Sequence, residues 1–321
     1  MNDDALPFEN ILIIANPKSR RHGDKKAGKL REKLLVSLPE IETDIFTTKG
    51  PDHARTLAYL EAKNSSNLLI ISASGDGTYN EVVNGIKKAD RETGRNTIAA
   101  VFKAGNANDH YRSLHRYSLD QLVEKVRSGL TREIDLLKLV AISENGTVFE
   151  RFAHSYIGFG ITAQGADYLN KHHPRNSITE LKIVPFLLKN RKTFEMIDER
   201  GNYHKLDSLT FHNTRHMAKW LEISSNGNPA DGLFEIITID TSAKAYPTAA
   251  ILRTGIQGAF FGLKEQPQAP SYSLDLVGDD SLVQLDGERM MLSADSHINI
   301  SIIKAIYDLK IFLFKENKHL K

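Results

Sequence analysis

The stretch IISASGDGTYNEVVNGI, residues 70–86, decides how the chain is read. An apolar run ends in small residues, with one carboxylate, Asp76, set between Gly75 and Gly77. A helical pattern follows at once. Val82, Val83 and Ile86 fall on one face, and Thr78-x-x-Glu81 has the spacing of a capping box. A buried strand, a glycine-containing turn and a helix make the repeating unit of a parallel, doubly wound sheet. In such sheets, ligands gather at the carboxyl ends of the strands.

The same unit recurs on both sides of this stretch. Residues 11–15 (ILIIA) are a short continuous apolar run, as expected of a strand buried on both faces. Asn16-Pro17-Lys18-Ser19 then turns the chain. Ala27, Leu30, Leu34 and Leu35 predict a helix over residues 24–36. Residues 41–47 read as a second strand, 68–71 as a third and 97–102 as a fourth. Pro51 suits the start of a helix carrying Ala54, Leu57 and Ala58. Ser118-x-x-Gln121 opens another helix, with Gly129 where its C-terminal cap belongs.

The pattern changes near Arg132. Residues 134–142 and 148–156 flank Asn145-Gly146, a hairpin turn signal. Residues 194–198 and 205–211 flank Arg200-Gly201-Asn202. Further short strands are expected at 220–224, 233–239, 271–277 and 282–285, with helical segments at 177–190 and 246–263. The run 298–314 is strand-rich. The expected fold is an N-terminal α/β domain over residues 1–135 and a C-terminal β-sandwich-like domain with helical insertions over 136–304. A strand segment, 305–321, is free to return to the first domain.

Composition narrows the function. The chain has 321 residues, enough for two domains, and 40% of them are hydrophobic. Its 42 basic and 40 acidic residues leave a net charge of +2, too balanced for wholesale nucleic-acid binding. With no cysteine, disulfides, thiolate metal sites and Cys nucleophiles are excluded. The first ten residues do not read as a signal peptide, and no run approaches the ~18 apolar residues of a membrane span. The expectation is a cytoplasmic protein, with peripheral contact at the inner face of the membrane left open. The histidines form no zinc pattern, and G-x-S-x-G is absent.

Three expected strand ends are polar and small: NPKSR (16–20), SGDGT (74–78) and GNAND (105–109). Glycines let a backbone approach a ligand closely, consecutive loop N–H groups attract anions, and a helix start adds its positive end. An Asp in such a loop cannot hold phosphate, but it can hold Mg²⁺ or accept a bond from an attacking hydroxyl. Alone, SGDGT is as good a tight turn as a site; three such loops favour the site. Neither a Walker A pattern nor G-x-G-x-x-G is present, which disfavours the standard P-loop and Rossmann modes. Downstream, Leu285-Asp286-Gly287-Glu288 reads as a type I′ hairpin turn with exposed acids or as part of a site. Residues 228–233 (NPADGL) read as a turn or as a metal loop with one carboxylate and backbone carbonyls.

Taken together, these motifs resemble the diacylglycerol kinase-type lipid kinases, which include sphingosine kinases and soluble bacterial lipid kinases. The family's Gly-Gly-Asp-Gly-Thr and Asn-Glu-Val match residues 74–86. Its Asn-Pro-x-Ser-Gly matches 16–20, and its Gly-Thr-Gly/Ala-Asn-Asp-Phe-Ala-Arg matches 105–112. Its Arg-x-Ile-Asp-Leu matches 132–136, its Ala-x-Asp-Gly matches 229–232, and its Asp-Gly-Glu matches 286–288. The resemblance implies ATP- and Mg²⁺-dependent phosphorylation of a lipid hydroxyl, with nucleotide and substrate meeting between two domains.

By motif position it implies nucleotide contacts at Asn16, Pro17, Lys18, Ser19, Thr48, Ser74, Gly75, Asp76, Gly77, Thr78, Asn80, Glu81 and Asn106. Asp76 and Glu288 would be catalytic, Glu288 as proton acceptor. Asn228, Asp231 and Leu233 would hold a structural Mg²⁺, partly through main-chain carbonyls. The partner implied is a lipid presented at a membrane surface, with no nucleic acid and with room for a homodimer. Apolar runs at 186–188 and 259–263, near Lys182, Lys189, Arg191 and Lys192, read as core or as a groove for acyl chains.

Departures from the family pattern are concentrated in the loops. Arg20 and Ser74 replace glycines, Asn106 replaces a Thr, His110-Tyr111 replaces Phe-Ala, and His154 stands where Asn is frequent. Two other readings remain: a kinase for a soluble hydroxyl compound such as NAD or a sugar, and a non-catalytic nucleotide or lipid sensor.

Overall fold

The computed structural model describes residues 7–19, 22–114, 117–172, 190, 192–217, 221–222, 227–240 and 263–309. These fall into two compact units, divided after Glu133 and again after Ala305, so that residues from Ile306 onward group with the first unit.

In the first unit, β1 (Asn10–Ala15), β2 (Glu42–Thr47), β3 (Leu68–Ser74) and β4 (Ile98–Lys103) pair in parallel, in the order β2-β1-β3-β4. Strand β3 is buried at every position, as a central strand covered on both faces must be. The intervening helices are α1 (Gly23–Ser37), α2 (His53–Asn64) and α3 (Asp76–Thr93). Helix α2 buries only alanines, Ala54, Ala58 and Ala62, one turn apart. This small-residue stripe admits α3 closely: a Cβ on Gly85 would stand 2.3 Å from the Arg55 carbonyl oxygen. Helix α3 buries Tyr79, Val82, Val83, Ile86 and Ala89 and ends on Gly94 at φ 70°. Two shorter helices follow, α4 (Asp109–Leu114) and α5 (Leu119–Ser128). Both bonds of the Ser118–Gln121 capping box form, and Gly129 closes α5 at φ 61°.

Among the described residues, the second unit is antiparallel sheet with one helix. Its elements are β5 (Thr131–Ile142), β6 (Val148–Ala153), β7 (Tyr156–Gly160), α6 (Ile161–His172), β8 (Phe194–Asp198) and β9 (Tyr203–His212). They continue with β10 (His216–Met217), β11 (Leu221–Glu222), β12 (Phe234–Asp240), β13 (Leu263–Ala269) and β14 (Ser271–Val277). The last are β15 (Ser281–Leu285), β16 (Glu288–Leu292) and β17 (His297–Leu309). The sheet order runs β16-β15-β7-β9-β8-β14-β17. Strand β5 pairs with β17 and β6, and β12 pairs with β9 and β13. The end of β17, from Ile306, belongs to the first unit and pairs there in parallel with β4, Tyr307 opposite Ile98.

Alternation divides this sheet into two chemically different faces. Ile157, Phe159, Leu209, Phe211, Phe234, Ile236, Val283 and Leu285 belong to one apolar core. Register pairs Tyr156 with His212 and His212 with Glu235, while Gly158 faces Thr210 and Gln284. Helix α6 lies on that polar face: a Cβ on Gly158 would meet Thr162 Oγ1 at 2.5 Å.

Several elements differ from expectation. Helix α3 starts at Asp76 with Gly75 as its N-cap, so Thr78 lies inside the helix and caps nothing. The strand expected over 148–156 breaks at His154-Ser155 into β6 and β7. Helices α4 and α6 and strands β13 and β16 have no counterpart in the sequence reading, because each is short or lacks a clean period. The helices expected at 177–190 and 246–263 lie outside the described residues, except that Asn190 is a turn residue and Leu263 begins β13. The apolar run 186–188, Lys182, Lys189 and Arg191 likewise lie outside them. Among the described residues, no helix is long and apolar enough to cross a membrane.

Candidate functional site

The three polar strand ends of the first unit are tied to one another. After β1, Asn16 accepts from Lys18 N–H through Oδ1 (2.9 Å), and its main-chain oxygen accepts from Ser19 N–H (3.0 Å). Its side-chain amide donates to Thr78 Oγ1 (2.8 Å), which joins the first loop to the second. Pro17 and Lys18 are exposed and Ser19 is half-buried. Thr48, just past β2, is buried, and its N–H donates to the Ala15 carbonyl at the end of β1 (2.8 Å). Gly23 is required where α1 begins, since a Cβ there would stand 2.5 Å from Asn16 O and 2.8 Å from Ala73 O.

The second and third loops meet backbone to backbone. The Ser74 carbonyl accepts from both Ala104 N–H and Gly105 N–H, each at 2.9 Å. A Cβ on Gly105 would lie 2.2 Å from Gly75 Cα, so Gly105 must be glycine, while a Cβ on Gly75 would sit tightly at 3.1 Å from Gly105 Cα. Asn108, buried at φ 53°, closes the third loop on itself. Its Oδ1 accepts from Gly105 N–H (3.0 Å) and its Nδ2 donates to Gly105 O (2.8 Å). Asn tolerates this left-handed backbone better than most residues. Asp76 sits half-buried in the first turn of α3, and its Oδ1 accepts from His110 N–H (3.2 Å). Gly77, Thr78 and Asn106 are half-buried in the same region, whereas Ser74 is fully buried beside Ser72 (Oγ–Oγ 2.6 Å). The Ser74 hydroxyl is therefore part of the packing under the loop.

Further along α3, Asn84 donates to the Asn80 side-chain oxygen (3.1 Å) and to its carbonyl (2.9 Å). Asn84 thus fixes Asn80, a job the sequence reading did not assign. Glu81 reaches the neighbouring helix: its Oε2 accepts from Ala54 N–H (3.0 Å) at the start of α2. Burial raises the Glu81 carboxyl above its ordinary range, opposed by the main-chain N–H groups of Asp52, Ala54 and Arg55.

The remaining candidates lie in the second unit. Asp286 (φ 51°) and Gly287 (φ 92°) form the two-residue turn of the β15–β16 hairpin, with Glu288 opposite Leu285. Both central residues have positive φ, the type I′ signature. The acids are not both exposed: Asp286 is 1% exposed and Glu288 is half-buried. In the 228–233 loop, Asn228 and Asp231 are exposed, and Asp231 Oδ1 accepts from Leu233 N–H (3.0 Å). Buried Asp135 orders this loop by accepting from Gly232 N–H (2.7 Å) and donating its own N–H to Pro229 O (2.8 Å). Among the described residues, no group of three or more His, Asp or Glu is gathered for a metal. Asp76 and the Asp231 loop each offer one carboxylate, a donor set that fits Mg²⁺ when carbonyls, waters or phosphates complete it.

The first unit is an open α/β domain whose ligand-type loops gather at the carboxyl ends of adjacent parallel strands. Residues 10–139 match the diacylglycerol kinase catalytic domain. A diacylglycerol kinase of Bacillus subtilis is 36% identical over 132 residues, 40% of this chain and 41% of that protein. The chain spans less than half the length of the curated relatives it matches. A solved diacylglycerol kinase of Bacillus anthracis superposes with a TM-score of 0.67 at 16% identity, covering 95% of this chain and 98% of that one. Yeast NADH kinase superposes with a TM-score of 0.55 at 12% identity, covering 98% and 90%. These two likenesses establish the fold.

Proposed function

We propose that the protein is a lipid kinase that transfers the terminal phosphoryl group of ATP to a hydroxyl of diacylglycerol or a related lipid. The observation that carries this reading is the mutual tethering of the three strand-end loops, Asn16 to Thr78, Gly75 to Gly105 and Asp76 to the N–H of His110. Phosphoryl transfer asks chiefly for positioning and charge neutralisation. The start of α3 suits a phosphate chain, and Asp76 would suit a Mg²⁺ held beside it. When bound, the ion neutralises charge on the transferring group. Glu288 is assigned as the acceptor of the hydroxyl proton, which makes the oxygen a better nucleophile. Asn16, Lys18, Ser19, Gly75, Gly77, Thr78, Asn80 and Asn106 are assigned to the nucleotide, and Asn228, Asp231 and the Leu233 carbonyl to a structural Mg²⁺.

The test is transfer from labelled ATP to a panel of lipid acceptors in mixed micelles, beside NAD and sugars, with and without Mg²⁺. Label entering a diacylglycerol-type lipid only with Mg²⁺ is the expected result. Label entering NAD or a sugar alone, or no acceptor at all, would overturn it. Co-sedimentation with vesicles containing acidic lipid tests the membrane partner; no binding with or without acidic lipid counts against it.

A further inference from the structure

An Asp-Gly hairpin turn ordinarily leaves its carboxylate in water, but here the second unit has built a receptor for it. Strand β6 ends at Ala153 and β7 begins at Tyr156, so the break between them presents successive N–H groups. Three of them converge on Asp286: His154 N–H on Oδ2 (2.7 Å), and Ser155 N–H (2.9 Å) and Tyr156 N–H (3.0 Å) on Oδ1. Successive main-chain N–H groups of this kind form an anion-binding nest, and the anion is a side chain of the same chain. The Asp286 N–H in turn donates to Tyr156 O (3.1 Å), and Gly287 N–H donates to the Gln284 side chain (2.9 Å). The His154 ring closes the site, with Nε2 3.4 Å from Asp286 Oδ2 and Nδ1 2.8 Å from Ser155 Oγ. His154, Ser155 and Asp286 are each 1% exposed.

Glu288 is the first residue after this turn. We infer that Asp286 is a positioning residue: by seating its carboxylate in the 154–156 nest, it fixes the hairpin from which Glu288 is presented. The inference rests on the reading of Glu288 as proton acceptor. The sequence shows Asp286 and the nest 130 or more positions apart, so nothing in the motif itself reveals the contact.

The chosen variant is Asp286→Asn. Its amide keeps one acceptor oxygen and turns an NH₂ toward the other side, so at least one of the three donors loses its acceptor. Turnover should fall by about 30-fold with the KM for ATP changed less than about twofold, the signature of a misplaced group and not of lost nucleotide binding. Amide exchange at residues 154–156 should quicken by ~100-fold. The ¹³C carboxyl resonance of Glu288, identified by its loss in Glu288→Gln, should titrate with a midpoint moved by ~0.5 or more. His154→Ala keeps every main-chain donor and should leave exchange slow and turnover within about fivefold of wild type.

Wild-type turnover in Asp286→Asn, or an unmoved Glu288 titration, would overturn the inference, as would a His154→Ala loss equal to that of Asp286→Asn. Should Asp286→Asn fail to fold, the unaltered protein decides: fast exchange at 154–156 refutes the clasp, and exchange as slow as the core strands supports it. A wild-type protein that phosphorylates no lipid would remove the functional reading instead, leaving the clasp to be judged on exchange and the Glu288 titration.

Discussion

Two Asp-Gly pairs, Asp76-Gly77 and Asp286-Gly287, look alike in the sequence and have opposite structural lives. Asp76 opens α3 after β3, is half-buried, and its Oδ1 accepts from a main-chain N–H of the neighbouring loop. Asp286 turns a hairpin, is buried, and accepts from three main-chain N–H groups. The first is a half-buried carboxylate within a loop cluster. The second is a carboxylate consumed by its own fold. Glu288, two residues on, is half-buried. The lesson is that a short acidic motif names a place in the chain, while the partners supplied by distant strands decide which oxygen atoms meet solvent.

The largest effects separate the two regions by activity. Asp76→Asn and Glu288→Gln should each lower turnover at least ~100-fold, with unchanged thermal unfolding. Near-normal kcat in either variant removes that residue from its role. Gly105→Ala should instead act through stability. Its methyl group would overlap Gly75 Cα and N, backbone atoms that cannot move aside as a side-chain end could. A loss of about 2–3 kcal/mol in urea unfolding is expected.

A pH series should divide the units by sign. In the second unit, burial pushes the His212 imidazole down to about 3, from an ordinary value of 6.5. Its folded form is neutral, so the stability it contributes is complete above 6.5 and is lost as pH falls from there toward 3. The loss should reach about 2 kcal/mol by pH 5, and His212→Gln should flatten it in thermal unfolding scans. In the first unit, burial raises the Glu81 and Asp90 carboxyls. Their contribution has the opposite sign: it is present below the ordinary carboxyl range and lost as pH rises through the raised values. The smallest effect is expected from Glu81→Gln, roughly 1 kcal/mol of stability from the α2 start, with the KM for ATP within about twofold. A large rise in that KM would return Glu81 to the nucleotide.

Legibility in the sequence followed the range of the interactions. Strands β1, β3 and β4 were readable because each carries a continuous apolar run bounded by turn residues. The Ser118–Gln121 capping box and the Asn145-Gly146 turn were readable because all their partners lie within a few residues. The Thr78–Glu81 capping box was misread for the same reason in reverse. Its spacing is right, but Thr78 is bonded to Asn16, 62 positions away, and Glu81 to Ala54, 27 away. Asn108 and Asn84 escaped notice because an Asn that fixes a neighbour looks like any polar residue until the neighbour is in place.

By itself, the sequence determined the alternation of strand and helix, the change to antiparallel strands near Arg132, and the chemical character of the loops at 16–20, 74–78 and 105–109. Those properties depend on periodicity and on local backbone preference, which a few consecutive residues carry. Only the tertiary structure decided that Gly75 and Gly105 touch, that Asp135 orders the 229–232 loop, and that Asp286 is buried in a nest of N–H groups. A carboxylate or an amide has no role until its partners are present, and here those partners arrive from strands and loops that the linear order keeps apart.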